Sequence, residues 1–360
     1  MKQVLVTGGA GFIGSNFVRY LLQSDEHVFI ANLDALSYAG SLENLRDLIG
    51  EERHHFIQGN ICDRELVDGL LKKYQIDTIV NFAAETHVDR SIVGPEPFIY
   101  TNVLGTFTLL QAARKFWLQD RSIRLEEARF HQISTDEVYG SLGPADPAFS
   151  ETSPYSPNSP YAASKASSDH LVRAYRHSYS LPISISNCSN NYGPNQYPEK
   201  LIPLVILTAQ AGKPLPVYGD GQQIRDWLNV LDHCEAIHKI LMNGKLGETY
   251  NIGGGNPRTN LAVVETICEM LDELQPSGPV PHRQLIQFVA DRPGHDQRYA
   301  MDIAKIQNEL VWQPRYSLED GLRATVEWYL SHPEWVTAIR AQPNYRQWLE
   351  ENYAKRVTPA

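Results

Sequence analysis

Gln3-Val-Leu-Val-Thr-Gly-Gly-Ala-Gly-Phe-Ile-Gly14 is the stretch on which the reading of this chain turns. An apolar, β-branched run ends in three glycines spaced Gly8-x-x-Gly11-x-x-Gly14. After them, Ser15 to Gln23 carries Phe17, Val18, Leu21 and Leu22, the three-and-four spacing of a helix with one buried face. A strand, a glycine turn and a helix start make a cradle for an anion. Glycine allows the tight turn and close backbone approach, and the helix N-terminus offers N–H groups and positive potential. Taken alone, the spacing also fits a plain structural turn, and it is not the commoner GxGxxG. Val28 to Leu33 reads as the second strand, closed by Asp34 twenty residues after Gly14. A carboxylate there accepts from an adenosine ribose 2′-hydroxyl and repels a 2′-phosphate, which favours NAD over NADP. The competing role for Asp34 is a helix cap or turn residue.

Working outward, Phe56-Ile57 reads as a third strand that delivers Asn60 and Ile61 to the adenine side. Thr78 to Ala84 reads as a fourth, whose small Ala83 and Ala84 after Phe82 let a dinucleotide lie close. Tyr100 to Phe116 is a long helix with Thr101 on the cofactor side, Phe130 to Ile133 a buried strand, and Leu181 to Ser186 a further one. This alternation predicts an α/β fold with a Rossmann-type, doubly wound parallel sheet. We assign residues 1–187 to an NAD-binding domain carrying the catalytic groups. Residues 188–360 form a smaller, mixed α/β substrate domain, and the chain is expected to cross back between the two. In the second part, helices are expected at Leu201–Gln210, Cys234–Met242 and Leu261–Leu271, and strands at Leu215–Tyr218, Thr249–Asn251 and Leu285–Val289.

The chemistry sits in Ser134-Thr-Asp-Glu-Val-Tyr139 and in Tyr161-Ala-Ala-Ser-Lys165, which opens a helix running to Tyr179. Helical residues four apart share a face, so Tyr161 and Lys165 point the same way. A cation beside a phenol favours the phenolate, which helps a group that normally titrates near ~10 to act as a base. Asp136 and Glu137 add two proton-transfer groups. In a regular strand, however, neighbours face opposite ways, so they can share a substrate only if the backbone turns there. His87, in Glu85-Thr-His-Val-Asp-Arg90, is more simply a structural residue beside a charge pair.

Composition narrows the classes. The apolar fraction is 42%, the charged fraction 21% and the net charge -10, ordinary for a globular enzyme and unfavourable for nucleic acid. Cys62, Cys188, Cys234 and Cys268 are scattered without metal or disulfide spacing, so reduced thiols and no metal site are expected. No apolar run reaches membrane-spanning length and no signal pattern opens the chain, so neither a membrane partner nor export is expected, and a cytoplasmic location follows.

These motifs in this order resemble the extended short-chain dehydrogenase/reductases, and within them the nucleotide-sugar 4,6-dehydratases that act on dTDP-glucose. The resemblance runs over nearly the whole chain. It rests on the glycine run, Ala83-Ala-Glu-Thr-His-Val-Asp-Arg90, Thr135-Asp-Glu137, Tyr161-x-x-x-Lys165, Ser189-Asn-Asn-Tyr-Gly-Pro194, Pro198-Glu-Lys-Leu-Ile-Pro203, Ile224-Arg-Asp-Trp227 and Asp291-Arg-Pro-Gly-His295. Thr-Asp-Glu ahead of Tyr-x-x-x-Lys is the discriminating feature, since epimerases of this fold typically lack the adjacent acid and base.

The resemblance implies NAD held by Gly8, Gly11, Phe12, Ile13, Gly14, Asp34, Ala35, Ser37, Asn60, Ile61, Phe82, Ala83, Ala84, Thr101, Tyr161 and Lys165. It implies Tyr161, Lys165, Thr135, Asp136 and Glu137 as catalytic residues, with Lys165 depressing the Tyr161 pKa. For the sugar nucleotide it implies Thr86, Thr135, Asn190, Lys200, Leu201, Pro216, Tyr218, Arg225, Asn260, Arg292, His295 and Tyr299. Arg225 and Arg292 suit diphosphate, since guanidinium meets phosphate oxygens in pairs; each alone is an ordinary surface residue. Leu201, Pro216 and Tyr218 would sandwich the pyrimidine, against simple core packing. Asn60 stands where the family often has Asp, and Thr86 where Ser is common. Trp227, Trp348 and Tyr353 read as structural. The helices Tyr100–Phe116 and Tyr161–Tyr179 resemble the family's four-helix dimer interface. The rivals are a relative with another nucleotide sugar, an epimerase, or a non-catalytic NAD sensor.

Overall fold

A computed structural model describes residues 1–276, 281–291, 294–342 and 345. In chain order the first part runs β1 (Gln3–Thr7), α1 (Phe12–Ser24), β2 (Phe29–Asp34), β3 (His54–Gln58), α2 (Arg64–Tyr74), β4 (Thr78–Asn81) and α3 (Val88–Val93). Then comes one helical rod, in which α4 (Glu96–Phe98) and α5 (Thr106–Ala113) are joined and extended by π-helical turns at Ile99–Gly105 and Arg114–Gln119. β5 (Arg129–Thr135), α6 (Pro160–Tyr179) and β6 (Ile183–Cys188) follow.

The second part contains β7 (Asn190–Tyr192), α7 (Leu201–Gln210), β8 (Leu215–Tyr218), β9 (Ile224–Asn229), α8 (Val230–Asn243), β10 (Thr249–Ile252) and β11 (Pro257–Thr259). It ends with α9 (Asn260–Leu274), β12 (Ile286–Val289), α10 (Ala304–Leu310), α11 (Leu318–Ser331) and α12 (Pro333–Ala341). No helix among the described residues is long and apolar enough to cross a membrane.

The central sheet has seven strands in the order β10-β6-β5-β4-β1-β2-β3. All its pairings are parallel. Val4, Leu5 and Val6 are wholly buried, as are Ile79 and Val80, because helices cover both faces. The chain starts at β1, moves outward to β3, and returns to β4 on the other side of β1. That reversal leaves a crevice at the carboxyl ends of β1 and β4, the place where open α/β sheets take ligands.

The chain crosses between lobes. β10 pairs with β6 at the edge of the main sheet, and Cys234 and Ile237 of α8 share a core with Phe17 and Leu21 of α1. The second lobe has a three-stranded sheet, β11-β9-β7, and a two-stranded one, β12-β8. Its core gathers Ile202 and Ile206 of α7, Val263 and Ile267 of α9, and Leu322 and Val326 of α11.

Three local readings change. The fourth strand stops at Asn81, so 82–85 leave the sheet and become a wall of the crevice. The strand after α6 lies two residues further on, because Cys188 still pairs with Ile252 and Thr135. Ile224–Asn229 is a buried strand that Arg225 and Asp226 disguise, since charged side chains break the apolar pattern by which a strand is recognised. Arg292, Trp348 and Tyr353 lie outside the described residues.

One feature of the sheet gives a pH test. His131 on β5 is wholly buried between Ser184 and Ser186 of β6, with Nδ1 2.8 Å from one hydroxyl and Nε2 3.0 Å from the other. Burial pushes its pKa down to about 3. An unfolded histidine titrates near ~6.5. Between those values the unfolded chain binds the extra proton, so the contribution is complete above ~6.5 and falls as pH drops toward about 3. His131→Gln should remove about one proton, roughly 1.4 kcal/mol per pH unit, from the slope of stability against pH below 6. Urea unfolding at pH 7 and pH 5 measures it; parallel slopes in the two proteins would refute the assignment.

Candidate active site

The crevice is a cleft of about 420 Å³. One side is the glycine loop. Gly8 has φ +72°, and a Cβ there would lie 2.6 Å from the Ala83 nitrogen. A Cβ on Gly14 would lie 2.3 Å from the Gly8 carbonyl oxygen. Helix α1 starts at Phe12 with no side chain capping its first turn. The loop therefore presents backbone alone, and the open N–H groups and helix dipole suit a diphosphate.

Asp34 ends β2. Its Oδ2 accepts from the Ala10 N–H at 2.9 Å and its Oδ1 from the Leu36 N–H at 2.8 Å. Burial pushes its carboxyl upward and those two N–H groups oppose it. The turn role weighed for Asp34 is thus real, and it coexists with a place on the cleft. All sixteen residues expected around NAD line this one cleft, from the glycine loop through Asp34, Asn60 and Ala83 to Thr101, Tyr161 and Lys165.

β5 ends at Thr135, and Asp136–Tyr139 makes a single 3₁₀ turn. The Thr135 Oγ1 caps it by accepting the Glu137 N–H at 3.3 Å. The turn removes strand alternation, so Thr135, Asp136 and Glu137 line the cleft together with Tyr161 and Lys165. Asp136 is 2% exposed; one carboxyl oxygen is 3.2 Å from the Thr135 hydroxyl and the other has no partner among the described residues. Burial first, and the neighbouring Glu137 second, push its pKa well above the carboxylate range.

Ser159 caps the N-terminus of α6, where Pro160 fills the first helical position. Lys165, four residues on from Tyr161, donates from Nζ to the Ile133 carbonyl at 2.6 Å. Burial lowers its pKa, and the buried Asp169 one turn along opposes this. The Ser134 hydroxyl donates to Asp169 at 2.6 Å, which ties the end of β5 to the helix. Burial and then Glu137 push the Tyr161 phenol well above its ordinary value, with the Thr135 hydroxyl pulling the other way. Any lowering by Lys165 therefore works against the desolvation of an enclosed phenol.

Of the sugar-nucleotide candidates, Thr86, Thr135, Asn190 and Lys200 line the cleft. Leu201, Pro216, Tyr218, Arg225, Asn260, His295 and Tyr299 are outside its lining. Pro216 and Tyr218 are the half-buried face of β8, opposite buried Leu215 and Val217. Leu201 opens α7 and packs on the second core. Asn260 opens α9. Arg225 is buried and stacks 4.4 Å from the Tyr299 ring while donating to the Asp296 carbonyl. Tyr299 donates to the Asp296 carboxylate at 2.5 Å, and the His295 ring lies 6.4 Å from that of Tyr218.

His87 caps α3 by accepting the Arg90 N–H at 3.4 Å, a structural role. Cleft residues not anticipated include Tyr38, Glu85, Cys188, Tyr197 and Glu199. Glu199 is buried and takes an ion pair from Arg90 at 3.1 Å. Its only signal was its place beside Lys200 in Pro198-Glu-Lys200.

This combination of a doubly wound sheet, a glycine cradle and a Tyr-x-x-x-Lys helix defines the extended short-chain dehydrogenase/reductase class. The chain belongs to the family described as GDP-mannose 4,6 dehydratase, whose model matches residues 5–325. It is 52% identical over 362 aligned residues to the dTDP-glucose 4,6-dehydratase of Salmonella typhimurium, covering 98% of this chain and 99% of that one. The dTDP-glucose 4,6-dehydratase of Bacillus anthracis, solved in complex with NAD, superposes with a TM-score of 0.84 at 47% identity, covering 94% of this chain and 100% of that one. The Streptomyces venezuelae dTDP-glucose 4,6-dehydratase, also solved with NAD, gives 0.85 at 44% identity, with 94% and 100% covered.

The cradle makes a direct prediction. Gly14→Ala places a methyl group 2.3 Å from the Gly8 oxygen. NAD affinity measured by titration calorimetry should fall at least about tenfold, since opening the loop to admit the methyl spoils the backbone approach. Unchanged affinity would contradict the cradle.

Proposed function

We propose the following reading of the site, in which this chain is an NAD-dependent hydro-lyase that converts dTDP-glucose to dTDP-4-keto-6-deoxyglucose and water. One observation carries it: the 3₁₀ turn aims two adjacent carboxyl groups into the cleft that Tyr161 and Lys165 also line. Interconverting a 4-hydroxyl needs only the phenol and lysine. Eliminating water across C5 and C6 needs a further base and a further acid, and this chain carries both.

Bound NAD supplies the hydride acceptor and donor of the cycle. Its fit rests on the glycine loop, where an added Cβ would block the backbone, and on Asp34 beside Ala10. Thr135 bonds the 4-oxygen of the hexose, and Tyr161 takes the proton from that hydroxyl. Because burial holds the phenol high, it yields its proton only with cationic charge facing it. Lys165 and the positive charge of the oxidised dinucleotide are the two available sources. Lys165 also holds the nicotinamide ribose.

Once C4 is a ketone, the C5 hydrogen is acidic, and Glu137 removes it. Asp136, whose carboxyl burial pushes well above the carboxylate range, gives its proton to the departing 6-hydroxyl as water leaves. With the hydride returned to C6, Glu137 gives its proton back to C5, and the proton that Tyr161 took from the 4-hydroxyl passes through solvent to replace the one Asp136 gave to water, so the protein ends as it began. The dinucleotide is regenerated each turnover and stays bound.

The second lobe supplies nucleotide recognition. Lys200 and Arg225 serve the diphosphate, with Arg292 named as a third. Leu201, Pro216 and Tyr218 serve the base, and Asn190, Asn260, His295 and Tyr299 complete the set. The four cysteines are unpaired, as a reducing cytoplasm would keep them.

Incubated with dTDP-glucose and no added NAD, the purified protein should release the 4-keto-6-deoxy product, identified by mass spectrometry. Glu137→Gln should then stall after oxidation, lose roughly 10²–10⁴ in turnover, and build up absorbance of the reduced dinucleotide. A variant that turns over with no such build-up would remove Glu137 as the C5 base.

A homodimer fits the surface of the rod. Ile99 is 52% exposed, Tyr100 63% and Leu104 42%, and with Val103, Phe107 and Leu171 of α6 they line an apolar groove. Such a patch on two parallel-running helices suits pairing with the same face of a second copy. Leu104→Glu should convert a dimer into a monomer in sedimentation velocity; a dimer that persists would rule out this face.

A further inference from the structure

The family model matches up to residue 325, before α12 begins at Pro333. Yet α12 reaches the glycine cradle through a buried path. Trp335, 7% exposed, donates its indole N–H to the Asn44 Oδ1 at 2.8 Å. Asn44, 2% exposed, donates its amide to the Ala10 carbonyl at 2.8 Å. The Ala10 N–H in turn donates to Asp34 at 2.9 Å. Three hydrogen bonds thus run from the end of the second lobe to the peptide between Gly9 and Gly11.

The surroundings hold this path in register. Trp335 is fixed edge-on by Trp328 at 5.0 Å and by Tyr329 at 5.8 Å. The Ala10 carbonyl also accepts the Ser41 N–H at 3.0 Å, and the Ser41 hydroxyl accepts from the Gln342 side chain at 3.3 Å. Nearer the cleft, Tyr38 of the same loop packs on the second-lobe core. The loop from Asp34 to Asn44 is therefore gripped at Tyr38, Ser41 and Asn44 by the lobe opposite the cradle.

We propose that Trp335, acting through Asn44, is a positioning residue for the dinucleotide site, holding Ala10 and Asp34 in the geometry that retains NAD. The inference rests on the reading of this cleft as the NAD site. Its logic is that Asn44 is the only member of the path that bonds both lobes: losing the indole donor leaves its Oδ1 buried without that partner. The amide then reorients, and the Ala10 carbonyl keeps only the Ser41 N–H of its two donors, which loosens the peptide that Asp34 holds. The chemistry at Tyr161 lies elsewhere in the cleft, so the effect falls on cofactor residence.

The test uses the full-length protein stripped of NAD and reloaded, with the NAD dissociation rate measured by dilution and trapping. Trp335→Phe keeps the aromatic packing and removes the donor. It should speed NAD release by about five- to tenfold while the thermal midpoint of the stripped protein stays close to that of the parent. Ile339→Val, on the same helix but in the second-lobe core, is the control for packing alone and should leave release unchanged. Unchanged release in Trp335→Phe, or equal acceleration by Ile339→Val, overturns the proposal. Should Trp335→Phe not fold, Asn44→Ser cuts the same path from its other end and is judged by the same rates. A parent protein that takes up no NAD would instead sink the reading of the cleft itself, which separates the two failures.

Discussion

Two backbones meet where the sheet reverses direction, and the closeness of that meeting governs the rest of the structure. After β1 the chain turns through Gly8, and after β4 it runs through Ala83, so near that one added methyl would collide. Close approach keeps β1 and β4 side by side while their connections leave in opposite directions. The crevice between those connections is the cleft. Several of the groups placed there hang from strand ends: Asp34 from β2, Thr135 from β5, Cys188 from β6. A rigid sheet carries them, which suits groups that must be placed within a fraction of an ångström.

The cleft concentrates buried charge, and the arrangement separates the roles of otherwise similar groups. Asp136 and Asp169 are both enclosed, and each has one carboxyl oxygen without a hydrogen-bond partner among the described residues, yet Asp136 lines the cleft while Asp169 is bonded by Ser134 outside its lining. Burial raises the carboxyl of each, but at Asp169 the nearby Lys165 and the Ser134 hydroxyl oppose it. The enclosed Tyr161 obeys the same rule. A phenol walled off from water resists ionising, so its reactivity depends on positive charge brought to it and not on lysine alone.

Much of this was legible in the chain. Glycine spacing, the acidic residue closing the second strand and the alternating pattern pointed to the sheet, because those signals follow from local backbone geometry. Tyr161 and Lys165 were paired by helical periodicity alone. The turn at Asp136 was recognisable only as a necessity: a one-dimensional pattern shows that two acids adjoin, not that the strand stops beneath them. β9 escaped because Arg225 and Asp226 are buried by partners far away in sequence, Tyr299 and the N–H groups of Gly254 and Asn256. Glu199 escaped for a like reason, since its ion pair with Arg90 joins two lobes.

That dependence on distant partners reaches the catalytic turn itself. Val138 and Tyr139 of the turn share a small core with Leu142, Phe149, Tyr299 and Met301. Backbone bonds from Leu142 to the Arg298 carbonyl and from Phe149 to the Ala300 carbonyl bind the loop after the turn to that same returning segment. The segment carries Tyr299, which we place on the nucleotide side. On the function proposed above, a nucleotide held at Tyr299 would press on the turn that carries Asp136 and Glu137. An enzyme that must oxidise, eliminate and reduce without releasing its sugar gains from this linkage. Binding energy from the remote nucleotide can be spent on orienting two carboxyl groups at the hexose, where it lowers the barrier and does not merely tighten binding.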